Sequence, residues 1–373
     1  MKIALFSDTI TEGYGGVTVY VRNLALFLHE QGNDVKIFVW NSKEIKEEEK
    51  KFCARFPSFN IIKKVNGKAG FSPIKMINRI RKFNPDIIHN HSQFTMGVHA
   101  IFISKLLNVP LLNHYHTYLE QQLNYFPKAL RKTKKITIPM IRGWTTKFFD
   151  SSDIVIVPTE IIKKYLLEIG VRKRIEVLPF GINLDKFKFA KTENSKFTLL
   201  HVGRLTKEKK VEELLYSFEK FSKDKKVTLL IIGDGPEKER LIDLVNELKI
   251  DDKVLFKGWI SGEKLPQLYN SADVFITLSE METFGIVVLE AMACGLPVIG
   301  ANALAIPELV KQGKNGFLVD SKNRIDVANK INILYEDKEL RKKMAEESLK
   351  YSKEYSKKKV FNKLEKIYAS LIK

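Results

Sequence analysis

The feature that most constrains the fold is a repeated alternation of short apolar segments with longer segments of helical spacing. The first apolar segment, residues 3–6, is followed over residues 17–29 by apolar side chains spaced as on one face of a helix. The alternation stops in the polar stretch 186–196 and begins again at Phe197. Regular alternation of this kind favours parallel sheets covered by helices on both faces. The sequence therefore predicts an α/β chain with two Rossmann-like, doubly wound sheets in tandem.

The length of the chain supports a division into two domains. A single hydrophobic core rarely grows to 373 residues. We place an N-terminal domain at residues 1–183 and a C-terminal domain at residues 190–350, and we predict a closing helix over residues 351–373. Ligands of such sheets bind beyond the carboxyl ends of the strands, so we expect the ligand in a cleft between the two domains.

Charge and cysteine content limit the class of protein. Lys and Arg number 63 against 44 Asp and Glu, a net charge of +19, which points to nucleic acid, anionic lipid or phosphorylated substrates as partners. Nucleic acid ranks last, because no helix-turn-helix, RNP or zinc-finger signature accompanies the charge. Two cysteines without ligand spacing suit a reducing compartment. With a predicted strand in place of a secretory leader and no apolar run long enough for a bilayer, we expect a cytoplasmic protein, soluble or peripheral.

The stretch 280–300 carries Glu282 and Glu290, eight positions apart in an otherwise apolar run. The two carboxylates would lie on roughly one side if both were helical. We expect Glu282 in a loop after a strand and a helix that starts near Phe284, whose free N–H groups would favour an anion. A carboxylate among apolar neighbours needs a partner, so Glu290 either binds a ligand hydroxyl or makes a structural hydrogen bond.

Two turns supply further candidates for an anion site. Arg204 and Lys209 follow the first strand of the second series, and a guanidinium with an ammonium suits a diphosphate, although a solvated basic turn is the ordinary alternative. Gly233 opens a Gly-Asp-Gly-Pro turn after the next strand. Gly16 lies in a glycine turn after the first strand, where a backbone can approach a ligand closely. No Asp-x-Asp pair is present to hold a metal with a nucleotide, so we expect no metal and no cofactor.

In this order and at these intervals, the motifs resemble those of the retaining nucleotide-sugar glycosyltransferases of family 4, which have the GT-B fold. The resemblance covers nearly the whole chain and rests on Gly15–Gly16, His116–Thr117, Gly203–Arg204 with Lys209, the 233–236 turn and the pair Glu282 and Glu290. It implies a hexosyltransferase with two Rossmann-like domains. It also implies that the closing helix, residues 351–373, packs back on the N-terminal domain.

The resemblance assigns roles to individual residues. Arg204 and Lys209 would neutralise the departing diphosphate, and Glu290 would accept from the ribose hydroxyls. His116 would lie beside the transferred sugar, and with Glu282 it forms the expected catalytic pair. The donor-binding set implied is Gly16, Arg204, Lys209, Gly233, Phe284, Gly285, Ile286, Val287 and Glu290.

Histidines occur in two i, i+2 pairs, His89 with His91 and His114 with His116, each at the end of a predicted strand. The rings of such a pair point to the same side of the sheet. Four clustered imidazoles could bind zinc. Because no carboxylate or thiol is supplied nearby, we expect a structural role for His89, His91 and His114 and no bound metal.

Residues 128–147 contain seven basic side chains and no acidic one, interleaved with apolar residues. Such a segment suits an anionic headgroup layer, and a solvated connecting helix is the alternative. Pro139 and Gly143 argue against one unbroken helix. The membrane and acceptor residues predicted here are Lys128, Arg131, Lys132, Lys134, Lys135 and Trp144.

A shorter resemblance bears on the acceptor. Residues 116–120 and 125–127 are similar to the corresponding region of bacterial diacylglycerol glucosyltransferases of the same family. This implies UDP-glucose as donor, a membrane lipid such as diacylglycerol as acceptor, an α-glycosyl glycolipid as product, and a peripheral location on the inner face of the cell membrane. The alternative is a family 4 enzyme with a soluble or polyprenyl-linked acceptor in polysaccharide or lipopolysaccharide synthesis.

Overall fold

The computed structural model describes residues 1–8, 16–40, 51–62, 67–123, 133–190 and 196–372. The chain forms two compact units, unit 1 with Met1–Phe180 and Val360–Lys373, and unit 2 with Gly181–Lys359. Each unit has its own parallel sheet, so the prediction of two doubly wound α/β halves is confirmed. Among the helices in the described ranges, none combines the length and the apolarity needed to cross a bilayer.

The sheet of unit 1 has seven parallel strands, and an antiparallel pair stands apart from it. The strands are β1 (Lys2–Ser7), β2 (Asp34–Trp40), β3 (Cys53–Phe56), β4 (Phe59–Ile62), β5 (Gly67–Ala69), β6 (Ile87–Asn90), β7 (Leu111–His114), β8 (Ile154–Val157) and β9 (Ile175–Val177). The sheet order is β3-β2-β1-β6-β7-β8-β9, and β4 pairs with β5. The strand order reverses between β1 and β6, which is where a doubly wound sheet opens a crevice for ligands.

Helices cover both faces of this sheet, as its apolar strands require. Within the described residues up to 190, the helices are α1 (Gly16–Glu30), α2 (Pro73–Phe83), α3 (Thr95–Leu107), α4 (Leu119–Gln122), α5 (Lys134–Phe149) and α6 (Glu160–Glu168). Met76 of α2 and Met96 of α3 pack in one core cluster with Phe6 and Trp40. Phe148 and Phe149 of α5 form a second cluster with residues of β8 and α6.

The helix α5 corrects one expectation, because it runs unbroken from Lys134 to Phe149 with Pro139 inside it. Proline removes the hydrogen bond to the carbonyl four residues earlier, that of Lys135. Both Lys135 and Pro139 are exposed, so water can satisfy that carbonyl. The surface position of this turn explains why the helix tolerates the proline.

Unit 2 repeats the architecture with six parallel strands in the order β12-β11-β10-β13-β14-β15. These strands are β10 (Phe197–Val202), β11 (Val227–Ile232), β12 (Val254–Phe256), β13 (Val274–Thr277), β14 (Val298–Ala301) and β15 (Gly316–Val319). The helices are α7 (Val211–Ser222), α8 (Lys238–Glu247), α9 (Leu265–Asn270), α10 (Ile286–Ala293), α11 (Ile306–Leu309), α12 (Arg324–Glu336) and α13 (Lys338–Ser352). The order reverses between β10 and β13, so the turns that follow these two strands are close neighbours.

The predicted closing helix over residues 351–373 is interrupted. After α13 come a 3-10 helix, Lys353–Tyr355, and a last helix, α14 (Lys357–Leu371). Ser356 breaks the helix because it is extended, with ψ of 137°, and forms a bridge with Ile182. Unit 2 begins at Gly181, and the chain returns to unit 1 at Val360. From the sequence we placed the first boundary between residues 183 and 190 and the second one after residue 350. On unit 1, Glu365 of α14 accepts a hydrogen bond of 2.9 Å from the side-chain amide of Asn33.

Gly97 of α3 and Gly143 of α5 allow a matched test of the packing in unit 1. A Cβ at Gly97 would lie 2.1 Å from the Ser92 carbonyl oxygen and 2.7 Å from Cζ of Phe148, whereas one at Gly143 would meet no atom within 4 Å. We expect Gly97→Ala to lower the free energy of unfolding by about 2–4 kcal/mol, because backbone must move. Gly143→Ala should raise it by about 0.5–1 kcal/mol, since alanine favours an open helical site. Urea unfolding followed by circular dichroism measures both, and equal midpoints would contradict the packing described.

Candidate functional site

The turns after β10 and β11 are in direct contact in unit 2. Gly233 has φ of +136°, and a Cβ there would lie 1.8 Å from the Gly203 carbonyl oxygen, so only glycine fits. The N–H of Leu205 donates to the carbonyl of Asp234 at 3.0 Å and ties the two turns together. These contacts fix the turn that carries Arg204. The guanidinium of Arg204 is exposed and forms no ion pair with any residue of the described ranges.

Lys209 ends the 3-10 helix Lys207–Lys209, and its ammonium lies 2.5 Å from Oε1 of Glu282. The two side chains are only 20% and 14% exposed. Burial by itself raises the pKa of Glu282, but the charge and hydrogen bond of Lys209, together with a hydrogen bond from Ser279, outweigh it, and the pKa is lowered. Glu282 is therefore a carboxylate, and it holds Lys209 at the carboxyl end of β13.

Glu290 of α10 has a different environment. The hydroxyl of Tyr269 donates to its Oε2 at 2.8 Å. Burial raises the pKa of Glu290 to about 7, against the lowering effects of the Tyr269 hydrogen bond and the Lys186 charge. This carboxyl can therefore gain or lose a proton near neutral pH, which Glu282 does not.

The helix α10 begins at Ile286, two residues after the expected start, and Gly285 is its N-cap with φ of +89°. Glu282 lies in the loop and Glu290 in the helix, as expected. The two carboxylates would share a helical face only if both residues were helical, so they do not share one. The N–H groups of Ile286 and Val287 have no acceptor within the described part of the chain, so they are donors at the positive end of the helix. The Phe284 side chain packs toward Tyr355 with 6.0 Å between ring centroids, which leaves only its backbone for a ligand.

In unit 2 the structure thus places Arg204, Lys209, Gly233, Glu282 and the 284–287 backbone on the turns that follow β10, β11 and β13. Sequence reasoning missed three neighbours of this set. Lys210 lies 3.8 Å from Glu280, Tyr269 donates a hydrogen bond to Glu290, and Nδ1 of His201 donates a 3.0 Å hydrogen bond to the Ile276 carbonyl. Only His201 left a signal in the sequence, as a polar residue inside an apolar strand.

In unit 1, His116 follows β7 and is 7% exposed. Its Nε2 lies 2.9 Å from Nδ1 of His91, and its ring packs against Tyr20 and Phe180. The role of His116 beside a sugar stays a prediction. Gly16 is the first residue of α1 and is exposed, whereas Gly15 lies outside the described residues.

The four histidines predicted to cluster do so beneath α1 and α14. Ring centroids are 4.0 Å apart for His89 and His91 and 4.3 Å apart for His114 and His116. His89 bridges the Tyr368 hydroxyl at 2.6 Å and Nδ1 of His114 at 3.3 Å. Burial lowers the pKa of each ring, that of His116 to about 3, so all four are neutral. Ligand atoms of His89, His91 and His114 lie within 4.8 Å of one another, so these three imidazoles are close enough to share a metal ion.

Asp8, which directly follows β1, is a further residue that sequence reasoning missed. It is buried and accepts a hydrogen bond from the Ser92 hydroxyl. Burial raises the pKa of Asp8 to about 6, although the Ser92 hydrogen bond lowers it. The available signal in the sequence was that Asp8 directly follows β1, one of the two strands between which the sheet order reverses.

The predicted acceptor residues lie on or before α5. Lys134 and Lys135 are exposed in its first turn, and Trp144 is 44% exposed. Ile136 and Met140, eight and four residues before Trp144, are exposed on the same side of the helix. Lys128, Arg131 and Lys132 lie outside the described residues.

Comparison with known proteins decides the family. The model for Glycosyltransferase Family 4 matches residues 14–186, and that for Glycosyl transferases group 1 matches residues 183–351. An α-monoglucosyldiacylglycerol synthase from Streptococcus pneumoniae is 33% identical over 336 residues, covering 85% of this chain and 75% of the relative. The chain belongs to glycosyltransferase family 4. The sulfoquinovosyl transferase SQD2 of Arabidopsis thaliana is 32% identical, with 94% of this chain and 70% of the relative covered.

Solved structures agree on the fold of this family 4 enzyme. The UDP complex of HepE from Anabaena covers 100% of both chains with a TM-score of 0.79 at 21% identity. The fold is GT-B, and the enzyme is a hexosyltransferase, so both predictions are confirmed. Other relatives carry names with non-lipid acceptors, L-malate and D-inositol 3-phosphate among them.

Replacement of Glu290 by glutamine tests its electrostatic environment. Because burial raises its pKa from 4.5 to about 7, the folded protein binds a proton that the unfolded chain releases in this range. The stabilisation from that proton is complete below pH 4.5 and is lost as the pH rises through 7. Glu290→Gln should therefore gain roughly 2–3 kcal/mol in unfolding free energy, relative to the wild type, over this pH range. Urea titrations at a series of pH values measure it.

The matched control is Glu239→Gln, on an exposed position of α8. Its stability difference from the wild type should stay constant with pH. A flat profile for Glu290→Gln as well would mean that the Glu290 carboxyl is not withdrawn from water.

Proposed function

We propose that this enzyme is a retaining α-glucosyltransferase that moves glucose from UDP-glucose to diacylglycerol or a related membrane lipid. The observation that carries the proposal is the likeness to a relative named for monoglucosyldiacylglycerol synthesis, which extends over 85% of the chain. The product is an α-glycosyl glycolipid. The enzyme works as a peripheral protein at the cytoplasmic face of the membrane, where such an acceptor is found.

The donor chemistry is assigned to the turns of unit 2. Departure of UDP develops negative charge on the diphosphate, and charges already in place stabilise it without reorganisation. Arg204, whose guanidinium is exposed, and Lys209 supply the positive charges, and the N–H groups of Ile286 and Val287 supply neutral donors. Glu282 keeps Lys209 oriented while no diphosphate is bound. With two cations and a helix N-terminus at the leaving group, no metal ion is required.

The remaining predicted roles are carried over from the family resemblance. Glu290, held by Tyr269, accepts from the ribose hydroxyls. His116 lies beside the transferred sugar, and Gly16 offers its N–H to the phosphate. The basic and apolar surface of α5 faces the lipid layer, with Lys134, Lys135 and Trp144 as contacts.

The second candidate function keeps the donor side and changes the acceptor. Relatives whose names specify L-malate or D-inositol 3-phosphate favour a soluble acceptor, and a polyprenyl-linked one is chemically similar to a lipid. The two candidates differ in where the sugar is found after the reaction.

Transfer from a panel of radiolabelled nucleotide sugars tests the proposed function. We expect UDP-glucose to label the organic phase when the enzyme is incubated with vesicles containing diacylglycerol. The yield should not change with EDTA, because cations of the protein neutralise the diphosphate. Cleavage of the product by an α-glucosidase checks the configuration. Label that enters only soluble acceptors would support the second candidate and contradict the lipid acceptor.

Replacement of Arg204 by alanine tests the donor site. Loss of one preorganised charge at the leaving group should lower kcat/KM by about 100-fold or more, with the fold intact by circular dichroism. Lys207→Ala is the matched control, because Lys207 is an exposed cation on the same turn. The control should stay within about twofold of the wild type. Near-normal turnover of Arg204→Ala would remove Arg204 from the donor site.

A further inference from the structure

Tyr269 is a buried phenol that lies next to Glu290 in unit 2. It is the last residue but one of α9, and its side chain is 0% exposed. Its hydroxyl lies 2.8 Å from Oε2 of Glu290 and 3.3 Å from the carbonyl oxygen of Val287. A phenol has a single proton to donate, and the shorter distance assigns that proton to the carboxylate. One oxygen of Glu290 is thus bound by a residue outside its own helix.

The position of Tyr269 is fixed by its surroundings. Its ring centroid lies 6.0 Å from that of Phe187 and 6.0 Å from that of Phe275. The next residue, Asn270, donates hydrogen bonds to the carbonyls of Lys188 at 3.0 Å and Pro266 at 2.9 Å. A side chain that is packed in this way has already lost its rotamer freedom, so its hydroxyl stays in one place. Tyr269 is therefore a preorganised donor.

The second oxygen of Glu290 is left for a ligand. Within the described part of the chain, Tyr269 is the hydrogen-bond donor that acts on this carboxyl, and Lys186 acts on it through its charge. Glu290 is partly exposed, so a ligand can reach it. A carboxylate accepts about four hydrogen bonds through its two oxygens. The adjacent hydroxyls of a ribose are a pair of donors that match the remaining capacity.

Glu290 is the group that titrates near neutral pH among the titratable neighbours that act on it. Burial raises its pKa to about 7, and the hydrogen bond from Tyr269 and the ammonium of Lys186 oppose this shift. Burial also raises the pKa of Cys294, directly after α10, to about 12, and that of Tyr269 well above its ordinary value. The hydroxyl of Tyr269 therefore favours the carboxylate form of Glu290, which accepts hydrogen bonds through both oxygens.

We propose that Tyr269 is a positioning residue for the donor, because its hydroxyl holds the Glu290 carboxylate in the orientation that accepts from both ribose hydroxyls and so rejects 2′-deoxyribonucleotides. A site built to bind a hydroxyl discriminates strongly against a ligand that lacks it, since its buried polar group is then left unpaired. The donor class is therefore a ribonucleoside diphosphate sugar. The inference rests on the proposed function, which makes Glu290 the ribose-binding carboxylate.

Calorimetry with UDP and 2′-deoxy-UDP tests the proposal on the full chain. We expect the wild type to bind UDP about 10–100-fold more tightly than 2′-deoxy-UDP, as a hydrogen bond to a charged group predicts. Tyr269→Phe keeps the ring and removes the hydroxyl. It should lower this ratio to about threefold or less, because the carboxyl is no longer oriented. Circular dichroism checks that the variant is folded.

The pH dependence of the same ratio separates positioning from a purely structural role. In the wild type the ratio should rise as the pH increases through about 7, because ionised Glu290 accepts from both hydroxyls. Tyr269→Phe removes a hydrogen bond that lowers this pKa, so the rise should move to higher pH. Ionisation of the diphosphate cancels from the ratio, since both ligands carry the same diphosphate.

Two further variants complete the experiment. Tyr335→Phe removes a hydroxyl from α12, where the ring packs on Phe197 and Phe221, and it should keep the wild-type ratio and pH profile. Glu290→Gln should lower the ratio and make it independent of pH. Adding Tyr269→Phe to Glu290→Gln should then change the ratio by no more than about twofold, because the two residues act as one unit.

A wild-type ratio and pH profile in Tyr269→Phe would overturn the proposal. Equal losses of affinity for UDP and 2′-deoxy-UDP would also overturn it, since the hydroxyl would then only support the fold. A wild type that binds no ribonucleoside diphosphate would reject it together with the donor site. Lost discrimination in an enzyme that labels no lipid would retain the role of Tyr269 and reject the lipid acceptor. Transfer to lipid with unchanged discrimination in Tyr269→Phe would do the reverse.

Discussion

The ion pair between Lys209 and Glu282 is the interaction on which the site of unit 2 depends. It joins the turn after β10 to the loop after β13, the two strands at which the sheet order reverses. Neither charge is freely solvated, so removal of one partner would leave the other at a cost of several kcal/mol, roughly 3–5 in a buried setting. The pair therefore holds the two loops together at this edge of the sheet.

The two glutamates of the same stretch show how position decides chemistry. Glu282 is next to an ammonium, which outweighs burial and lowers its pKa, whereas Glu290 has a phenol as its direct partner, and burial raises its pKa to about 7. Glu282 therefore stays ionised, whereas Glu290 can hold a proton near neutral pH. Gly285, with φ of +89°, caps α10 between them, so Glu282 is in the loop and Glu290 is in the helix.

The sequence was sufficient for the parts that local pattern controls. The alternation of apolar strands and helices predicted both sheets, and turn chemistry placed Gly233 and Glu282 correctly at strand ends. Tertiary surroundings decided the rest. Solvent at Pro139 lets α5 continue, and pairing of Ser356 with Ile182 breaks the last helix. Tyr269 reaches Glu290 from a helix 21 positions earlier in the chain, a contact that no short motif encodes. Likewise, Val98, Phe102 and Leu106 of α3 are residue types usual in a core, and only the structure shows that they are exposed.

The two faces of the sheet in unit 1 have different surroundings. On the face under α1 and α14, four imidazoles are neutral because burial disfavours their charge, and the hydroxyl of Tyr368 satisfies His89. On the other face, Val98, Phe102 and Leu106 of α3 are 45–52% exposed. Transfer of an exposed phenylalanine or leucine to an apolar medium gains about 1.5–3 kcal/mol when complete, so this face is poorly suited to water alone. The two faces of one sheet thus differ in their cover, because α1 and α14 bury aromatic and imidazole rings on one side, whereas apolar side chains of α3 stay half exposed on the other.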